Sequence, residues 1–336
     1  MNLDLLKNKT ILVTGGTGSF GRYFIRKLLD DSMVKRVVVF SRDELKQSIM
    51  QSEFKDERLR FFLGDVRDLQ RLEMAFRGVD IVVHAAALKQ VPLLEYNPFE
   101  AVKTNIFGTQ NVIEAAISNK VEKVVLVSTD KAAHPANLYG STKLCAEKLC
   151  IAGNAYSPDG TKFSCVRYGN VLGSRGSIVD IILRDRNTKE IMVTDEKMTR
   201  FWIGLKDTFD IVIFALTHME GGEIFVPKAP SMKLTDLFDV LVPKAKKKIV
   251  GIRPGEKIHE VLLTQDEARY TFDFDKYYVI LPAHTEIHSG KKYKKFKANG
   301  KQVHPEFIFS SATNELILSK KNLLEVVKDF ENMYKK

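Results

Sequence analysis

The sequence predicts an α/β fold: a Rossmann-type doubly wound parallel sheet with a smaller C-terminal substrate-binding lobe. Two observations carry that expectation. Short apolar, β-branched runs alternate with helix-period segments through the first half of the chain, which implies a sheet covered by helices on both faces. The first run leads into TGGTGSFG, where Gly15, Gly18 and Gly21 lie three residues apart at the start of a helical pattern. That is the strand–turn–helix context of a dinucleotide-binding loop.

The elements follow in order. TILVT (10–14) reads as a strand and FGRYFIRKLLDD (20–31) as a helix. RVVVF (36–40) is a strand, and DELKQSIMQSEF (43–54) a helix with acids at its start, where the helix dipole favours them. LRFFLGD (59–65), VDIVVHAAA (79–87), VEKVVLVST (121–129) and FSCVRYGN (163–170) are further strands. Helices are predicted over 98–119 and from Tyr139 to about Tyr156. After Asn170 the rhythm changes. GSRGS (173–177) and IRPGEK (252–257) read as loops, among IMVTD (191–195), a helix from about Lys206 to Met219, and GEIFVP (222–227). The basic stretch near 284–304 reads as loop or edge structure. These patterns suggest a cofactor domain over 1–175, with a return segment at about 205–228. A nucleotide-sugar lobe is expected from 176–204 and 229–336.

With 336 residues, 44% of them hydrophobic, the chain can bury a large core with an added lobe. The net charge of +10 lies largely late, in VPKAKKKIV and SGKKYKKFKANGK. Such patches serve nucleic acid, or else acidic small molecules and solubility. No recognisable nucleic-acid-binding motif accompanies these lysines, so a nucleic-acid partner is not expected. Cys145, Cys150 and Cys165 form no C-x-x-C pair, which argues for a reducing compartment. The only close histidine pair, His284 and His288, has no evident third ligand, so no metal is expected. MNLDLLKNKT has no apolar signal core, and no apolar run reaches the ~18 residues of a membrane span. A cytoplasmic protein with no membrane partner is expected.

Within the glycine loop, Gly15 permits the tight turn, Gly18 the approach of a pyrophosphate, and Gly21 close packing of helix on sheet. A glycine triplet alone can be no more than a turn; its place between strand and helix favours a cofactor. About twenty residues on, dinucleotide folds place an acid for the ribose, but this chain has Ser41 and Arg42. Arginine pairs bidentately with phosphate, which points to NADP rather than NAD. The other reading leaves Arg42 in solvent, with Asp43 or Glu44 on the ribose. Asp65 and Val66 are placed for the adenine, and Ala85 and Ala86 leave room for the cofactor.

Tyr139 and Lys143 stand four apart, on one helix face. A nearby ammonium and a cationic nicotinamide favour tyrosinate, a base for a hydroxyl proton while hydride leaves the same carbon. Thr129 can hydrogen-bond that hydroxyl. A plain dehydrogenase or 4-epimerase needs nothing more, yet Asp130 and Lys131 follow directly. If a sugar is oxidised at C4, its C5 proton becomes acidic. Lys131 can then remove it, Asp130 can protonate the departing C6 hydroxyl, and hydride can return to C6. Water is lost and no cofactor is consumed. This requires neutral Lys131 and protonated Asp130; Coulomb attraction opposes that state and desolvation favours it. The bland reading is an exposed Asp-Lys pair beside the site. A silent NADP-binding regulator is a further alternative, against which the intact triad argues.

The ordered blocks TGGTGSFG, FSRDELKQ, GDVRD, HAAALKQVP, TNIFGT, STDKAA, LYGSTK, VRYGNVLGSRGS, MTRFWI, GGEIFVPK and IRPGEKIHE resemble the extended short-chain dehydrogenase/reductases. More narrowly, they resemble the UDP-N-acetylglucosamine 4,6-dehydratases that invert C5 and open the pathway to pseudaminic acid, a flagellin sugar. The match runs from about Ile11 to Glu260, weakens through the basic segment and resumes near FIFSSATN. The resemblance implies an oxidation triad of Thr129, Tyr139 and Lys143, with Lys131 as C5 base and Asp130 as acid. It implies that Gly15, Thr17, Gly18, Ser19, Phe20, Gly21, Ser41, Arg42 and Lys46 hold NADP. Lys89 would contact substrate, and Asn170, Thr194, Arg253 and Glu256 would hold the UDP-sugar. It also implies a homo-oligomer. One departure is Gln90, where many members carry His. A capsule-sugar branch shares that Gln but resembles a form without the tyrosine, so Tyr139 favours the pseudaminate branch.

Overall fold

The computed structural model describes residues 3–157, 160–283 and 292–334. Six strands, β1 (Thr10–Thr14), β2 (Arg36–Ser41), β3 (Leu59–Leu63), β4 (Ile81–His84), β5 (Lys123–Thr129) and β6 (Lys162–Tyr168), lie parallel in the order β3-β2-β1-β4-β5-β6. Strand order reverses between β1 and β4, and such a switch point opens a crevice at the strand C-termini. Alternate residues feed opposite faces: Ile11, Val13, Val37 and Val39 enter one core, Leu12, Val38 and Phe40 the other. Burial on both faces is why the strands read as unbroken apolar runs.

Ile224–Pro227 extends the sheet parallel to β6. Tyr277–Ile280, Thr271–Phe274 and Lys301–Gln302 then add three antiparallel strands. These three lie within the 229–336 stretch expected in the second lobe, so that boundary does not follow the sheet. The reason is side-chain burial: Phe272 and Val279 pack into one face of the main core, Tyr278 and Ile280 into the other. The basic stretch is only partly edge structure. Lys294–Asn299 is a short helix with Phe296 buried, and Lys301–Gln302 is the edge strand. His284 and His288 lie outside the described residues.

The smaller lobe has its own core, which includes Leu172, Val179, Ile182, Trp202, Leu237 and Phe238. Around it Thr199–Ile203 pairs with Ser231–Lys233 and Asn170–Val171, and Glu190–Val193 with Lys246–Ile249. The helices that escaped the sequence reading include Leu69–Ala75, Val91–Tyr96, Ile178–Arg184, Leu234–Leu241 and Lys320–Tyr334. The expected 98–119 helix is three segments: Pro98–Ala101, a π-helical stretch Val102–Phe107, and Gly108–Ser118. Among the described residues no helix is long and apolar enough to cross a membrane.

A buried ion triad joins the parts. Arg167 on β6 donates two hydrogen bonds to Glu147, at 3.0 and 2.6 Å, and two to Glu267, at 2.9 and 2.8 Å. Glu147 belongs to the Leu138–Tyr156 helix, which carries Tyr139 and Lys143.

Candidate active site

A cleft of about 640 Å³ opens at the switch point, walled on one side by the glycine loop and on the other by the ends of β4 to β6. Helix α1 (Ser19–Asp31) starts directly after Gly18, so its free N–H groups face the loop. Gly15 has φ +66°, and a Cβ there would stand 2.9 Å from the Ala86 nitrogen. Only glycine lets this turn lie against the end of β4. That strand end is fixed in turn, because the N–H groups of Ala85 and Ala86 donate to Thr14 Oγ1 at 3.1 and 3.2 Å. His84 Nδ1 stands 2.7 Å from the same hydroxyl and Nε2 3.1 Å from Thr109 Oγ1. Burial depresses this imidazole to about 3, which keeps it neutral.

At the far end of the cleft lie Ser41, Arg42, Asp43, Lys46 and Val66. Asp43 caps helix α2 (Glu44–Glu53): its Oδ1 accepts the Lys46 N–H at 2.9 Å and its other oxygen pairs with the Lys46 ammonium. Asp65 is not part of the cleft wall. Its carboxylate is held by Arg67 at 2.7 Å and more loosely by Arg42 at 3.6 Å.

The reactive end is assembled from β5, the turn Asp130–Ala132 and the Leu138–Tyr156 helix. Gly140, directly after Tyr139, is the contact point. A Cβ there would lie 2.2 Å from the Lys131 carbonyl oxygen, so the helix can seat on the Asp130–Lys131 backbone only with glycine. Asn137 caps that helix, its Oδ1 accepting the Gly140 N–H at 2.8 Å.

Asp130 is fully buried. Its Oδ1 accepts from Thr129 Oγ1 and from Lys131 Nζ, each at 3.0 Å, while Oδ2 is buried without a hydrogen bond. The pair is therefore no exposed surface feature. Lys131 Nζ also lies 3.5 Å from Asn170 Oδ1 and 3.7 Å from Glu260 Oε1. Burial raises the Asp130 carboxyl above its usual range, against the pull of Lys131. Burial also works against the Lys131 ammonium, but Asp130 and Glu260 outweigh it and hold that group above the ordinary lysine range. The expected protonated Asp130 thus has its physical cause here; the expected neutral Lys131 does not, because Asp130 and Glu260 together favour the ammonium.

Tyr139 differs from the expectation too. Burial pushes its hydroxyl up to about 12, and Lys131 with a Thr129 hydrogen bond only partly offsets this. Lys143, lowered to about 8 by burial, donates to the Val127 carbonyl at 2.8 Å. The ammonium acting on the tyrosine is that of Lys131.

Residues 11–282 match the family described as polysaccharide biosynthesis protein. The chain belongs to this family. A UDP-N-acetylglucosamine 4,6-dehydratase (inverting) of Campylobacter jejuni subsp. jejuni serotype O:2 is 47% identical over 335 residues, covering 97% of this chain and 99% of its own. A UDP-glucose 4-epimerase of Rickettsia akari is 42% identical over 282 residues, covering 81% of this chain and 83% of its own. Among solved structures, Pen from Bacillus thuringiensis aligns with a TM-score of 0.87 at 38% identity, over 97% of this chain and 99% of that one. DesIV, a dTDP-glucose 4,6-dehydratase from Streptomyces venezuelae with NAD and TYD bound, aligns with a TM-score of 0.66 at 25% identity, over 74% and 86%.

In this polysaccharide biosynthesis family member the cleft gathers most residues singled out from sequence. Gly15, Thr17, Gly18, Ser19, Phe20 and Gly21, then Ser41, Arg42, Lys46, Val66, Ala85 and Ala86, line one part; Thr129, Lys131, Tyr139, Lys143, Lys89 and Asn170 line the other. Asp130, buried behind Lys131, stands outside its walls, as do Thr194, Arg253 and Glu256. Thr194 Oγ1 donates to Met198 Sδ at 3.4 Å, Arg253 is exposed, and Glu256 Oε2 is buried without a hydrogen bond. Their loop is nevertheless tied to the reactive end: Asn137 Nδ2 donates to the Gly255 carbonyl at 2.8 Å, and Lys257 Nζ to that of Ala133 at 3.0 Å.

Sequence reasoning missed Arg175, Gly176 and Ser177, which reach the cleft from the smaller lobe. The Arg175 N–H donates to Ser19 Oγ at 2.9 Å, joining the lobe to the start of α1. The glycines of GSRGS were the available signal. It also missed Thr104, in the π-helical stretch, and Ser128, both cleft-lining with buried hydroxyls lacking a partner.

Proposed function

We propose that this protein is a UDP-N-acetylglucosamine 4,6-dehydratase that inverts C5, supplying the first intermediate of pseudaminic acid synthesis. The observation that carries the reading is the Asp130–Lys131 pair: Lys131 opens on the same cleft as Tyr139 and Lys143, and Asp130 is buried directly behind it, 3.0 Å from its ammonium. A 4-epimerase has no use for it.

The residues present fit a nicotinamide dinucleotide. A turn that a side chain would fill lies beside α1, and the unpaired hydroxyls of Ser128 and Thr104 face the cleft. We assign it to NADP. Asp43 is occupied as a cap and ion pair, which leaves Arg42 to meet a 2′-phosphate. Residues 1–175 with 205–228 would hold this cofactor, and the smaller lobe, with Lys89, Asn170, Thr194, Arg253 and Glu256, the nucleotide sugar. Bound there, the nicotinamide supplies a hydride acceptor for C4 and the donor for C6.

The chain's own groups move the protons. Tyr139 accepts the C4 hydroxyl proton in its tyrosinate form, which the Lys131 ammonium and a bound cationic nicotinamide would favour against burial, with Thr129 orienting that hydroxyl and Lys143 fixing the helix face against β5. Lys131 takes the C5 proton, made acidic by the new ketone. Asp130 gives its proton to the C6 hydroxyl, which leaves as water. Once hydride has returned to C6, a solvent proton adds to C5 from the other face while Tyr139 releases its proton to solvent, which gives the inverted 4-keto-6-deoxy sugar. We further propose a homo-oligomer as the working form.

The test is incubation with UDP-N-acetylglucosamine and no added cofactor. The dehydratase gives a product lighter by one water; made in heavy water, it carries deuterium at C5 with inverted ring configuration. An isomer of unchanged mass would instead support a 4-epimerase, the activity named for the Rickettsia akari relative. No turnover would sink both. Lys131→Ala is expected to keep cofactor binding and lose elimination by roughly 10²–10⁴-fold, the scale of a general base.

A further inference from the structure

Behind Lys131 lies a carboxylate to which the proposed reaction gives no role. Glu260 is 3% exposed, and its Oε1 stands 3.7 Å from the Lys131 ammonium. Two other cations flank it, Lys257 at 3.3 Å and Arg200 at 3.8 Å. Both are anchored elsewhere. Arg200 donates to the carbonyls of Thr199, Ile258 and Lys257, and Lys257 to that of Ala133. Of the three cations only Lys131 reaches the cleft. A buried anion costs free energy unless cations compensate it, and here the compensating group that can move is Lys131.

Charge counting then decides what Asp130 can do. With Asp130 as its sole counterion, an Lys131 ammonium would hold Asp130 as a carboxylate, which has no proton to give. Glu260 supplies a second anion, and Asp130, with Oδ2 buried and unpaired, is relieved of that duty. Resting on the dehydratase reading above, we propose that Glu260 is a positioning residue: the counterion that stabilises Lys131 as it takes the C5 proton, and so lets Asp130 remain the acid for the departing hydroxyl.

For the elimination the proton balance closes from a free Lys131 amine and a protonated Asp130, the state reached when one proton passes from Nζ to Oδ1. The C5 proton passes to Lys131 Nζ, and its electron pair forms the C5–C6 double bond as the C6–O bond breaks. The Asp130 proton leaves with that oxygen as water. The Nζ proton then crosses 3.0 Å to Asp130 Oδ1, which restores both groups, and Glu260 stays ionised throughout. Burial holds Asp130 above its usual range, as an acid needs, and Glu260 is held below its own, burial being outweighed by Lys131, Arg200 and Lys257. Asp130 and Glu260 hold Lys131 above its range, which strengthens it as a base once its proton has moved to Asp130. The logic is that of the buried aspartate behind a catalytic histidine, which stabilises the cation that forms.

Glu260→Gln separates the steps. C4 oxidation is read from the near-ultraviolet absorbance of reduced nicotinamide, elimination from loss of water by mass, and C5 chemistry from deuterium uptake. Oxidation is expected to stay near the wild-type rate, while elimination and C5 exchange fall about 10- to 100-fold and reduced cofactor accumulates. Glu260→Asp, which keeps the charge, is expected to recover part of the loss. Elimination at the wild-type rate in Glu260→Gln, or equal loss of both steps in a folded variant, overturns the assignment. If the Gln variant does not fold, the Asp variant decides: elimination must slow more than oxidation, and equal effects overturn it. If wild-type protein itself yields no dehydrated product, the reaction falls, not merely the role of Glu260.

Discussion

Arg42 has a guanidinium about half exposed, with Asp65 3.6 Å away. So loose and wet an ion pair contributes little, and releasing it for a phosphate costs little. Charge-assisted bonds to a phosphate contribute about 1.5–3 kcal/mol. Arg42→Ala is therefore expected to weaken NADP roughly 10- to 100-fold and to leave NAD nearly unchanged, as read by fluorescence titration with each. Equal losses for the two would remove the phosphate argument. Single residues also show where sequence reasoning stops. Tyr139 and Lys143 are four apart, so their shared face was legible, but the burial that pushes the tyrosine up was not. Asp130 and Lys131 drew notice as neighbours. Glu260 did not, because its link to Lys131 exists only after the IRPGEK loop folds back on STDKAA, and in sequence it is one more acid near Lys257.

Elements were legible where burial is two-sided. β1, β2 and β4 announce themselves because both faces are covered, which leaves polar residues only at their ends. Leu69–Ala75 and Val91–Tyr96 are too short to establish a helical period, and a π-helical stretch has the composition of the helices around it. The C-terminal strands were harder for another reason. TFDF and YYVI were not read as strands, and nothing local says which sheet takes them. The turn–helix junction at the reactive end gives a test at this scale. Gly140 carries the contact between helix and Asp130–Lys131 turn, and a methyl group there would overlap the Lys131 carbonyl. Relief requires moving backbone, at about 1–3 kcal/mol. Gly140→Ala is expected to lower the melting temperature and to reduce elimination more than cofactor affinity, because the glycine loop lies elsewhere. Native activity in that variant would mean that the seating is not required.

For the whole molecule, the Arg167 triad decides how the parts hold together. It links β6, the helix carrying Tyr139 and Lys143, and the segment that enters the added strands. With Arg167 in place, Glu267 is held below the ordinary carboxylate range; its burial is outweighed by Arg167 and by bonds from Thr264. Its contribution is thus fully present above the unfolded value near 4.5 and lost as pH falls through the lower folded value. Arg167→Met reverses the sign. Two carboxylates then share a buried site without a cation, and removing one partner of such a network costs about 3–5 kcal/mol. Without the cation, burial is left to raise the folded value of Glu267 above its unfolded one, so the stability it forfeits grows as pH rises past the unfolded range and shrinks below it. The melting-temperature deficit of Arg167→Met is therefore expected to be largest near neutrality and to narrow as the buffer approaches pH ~4.5. Thermal melts of both proteins across that range check it. A deficit of constant size would show that the variant fails through packing alone, and that charge compensation at Arg167 is not what couples the sheet to the reactive helix.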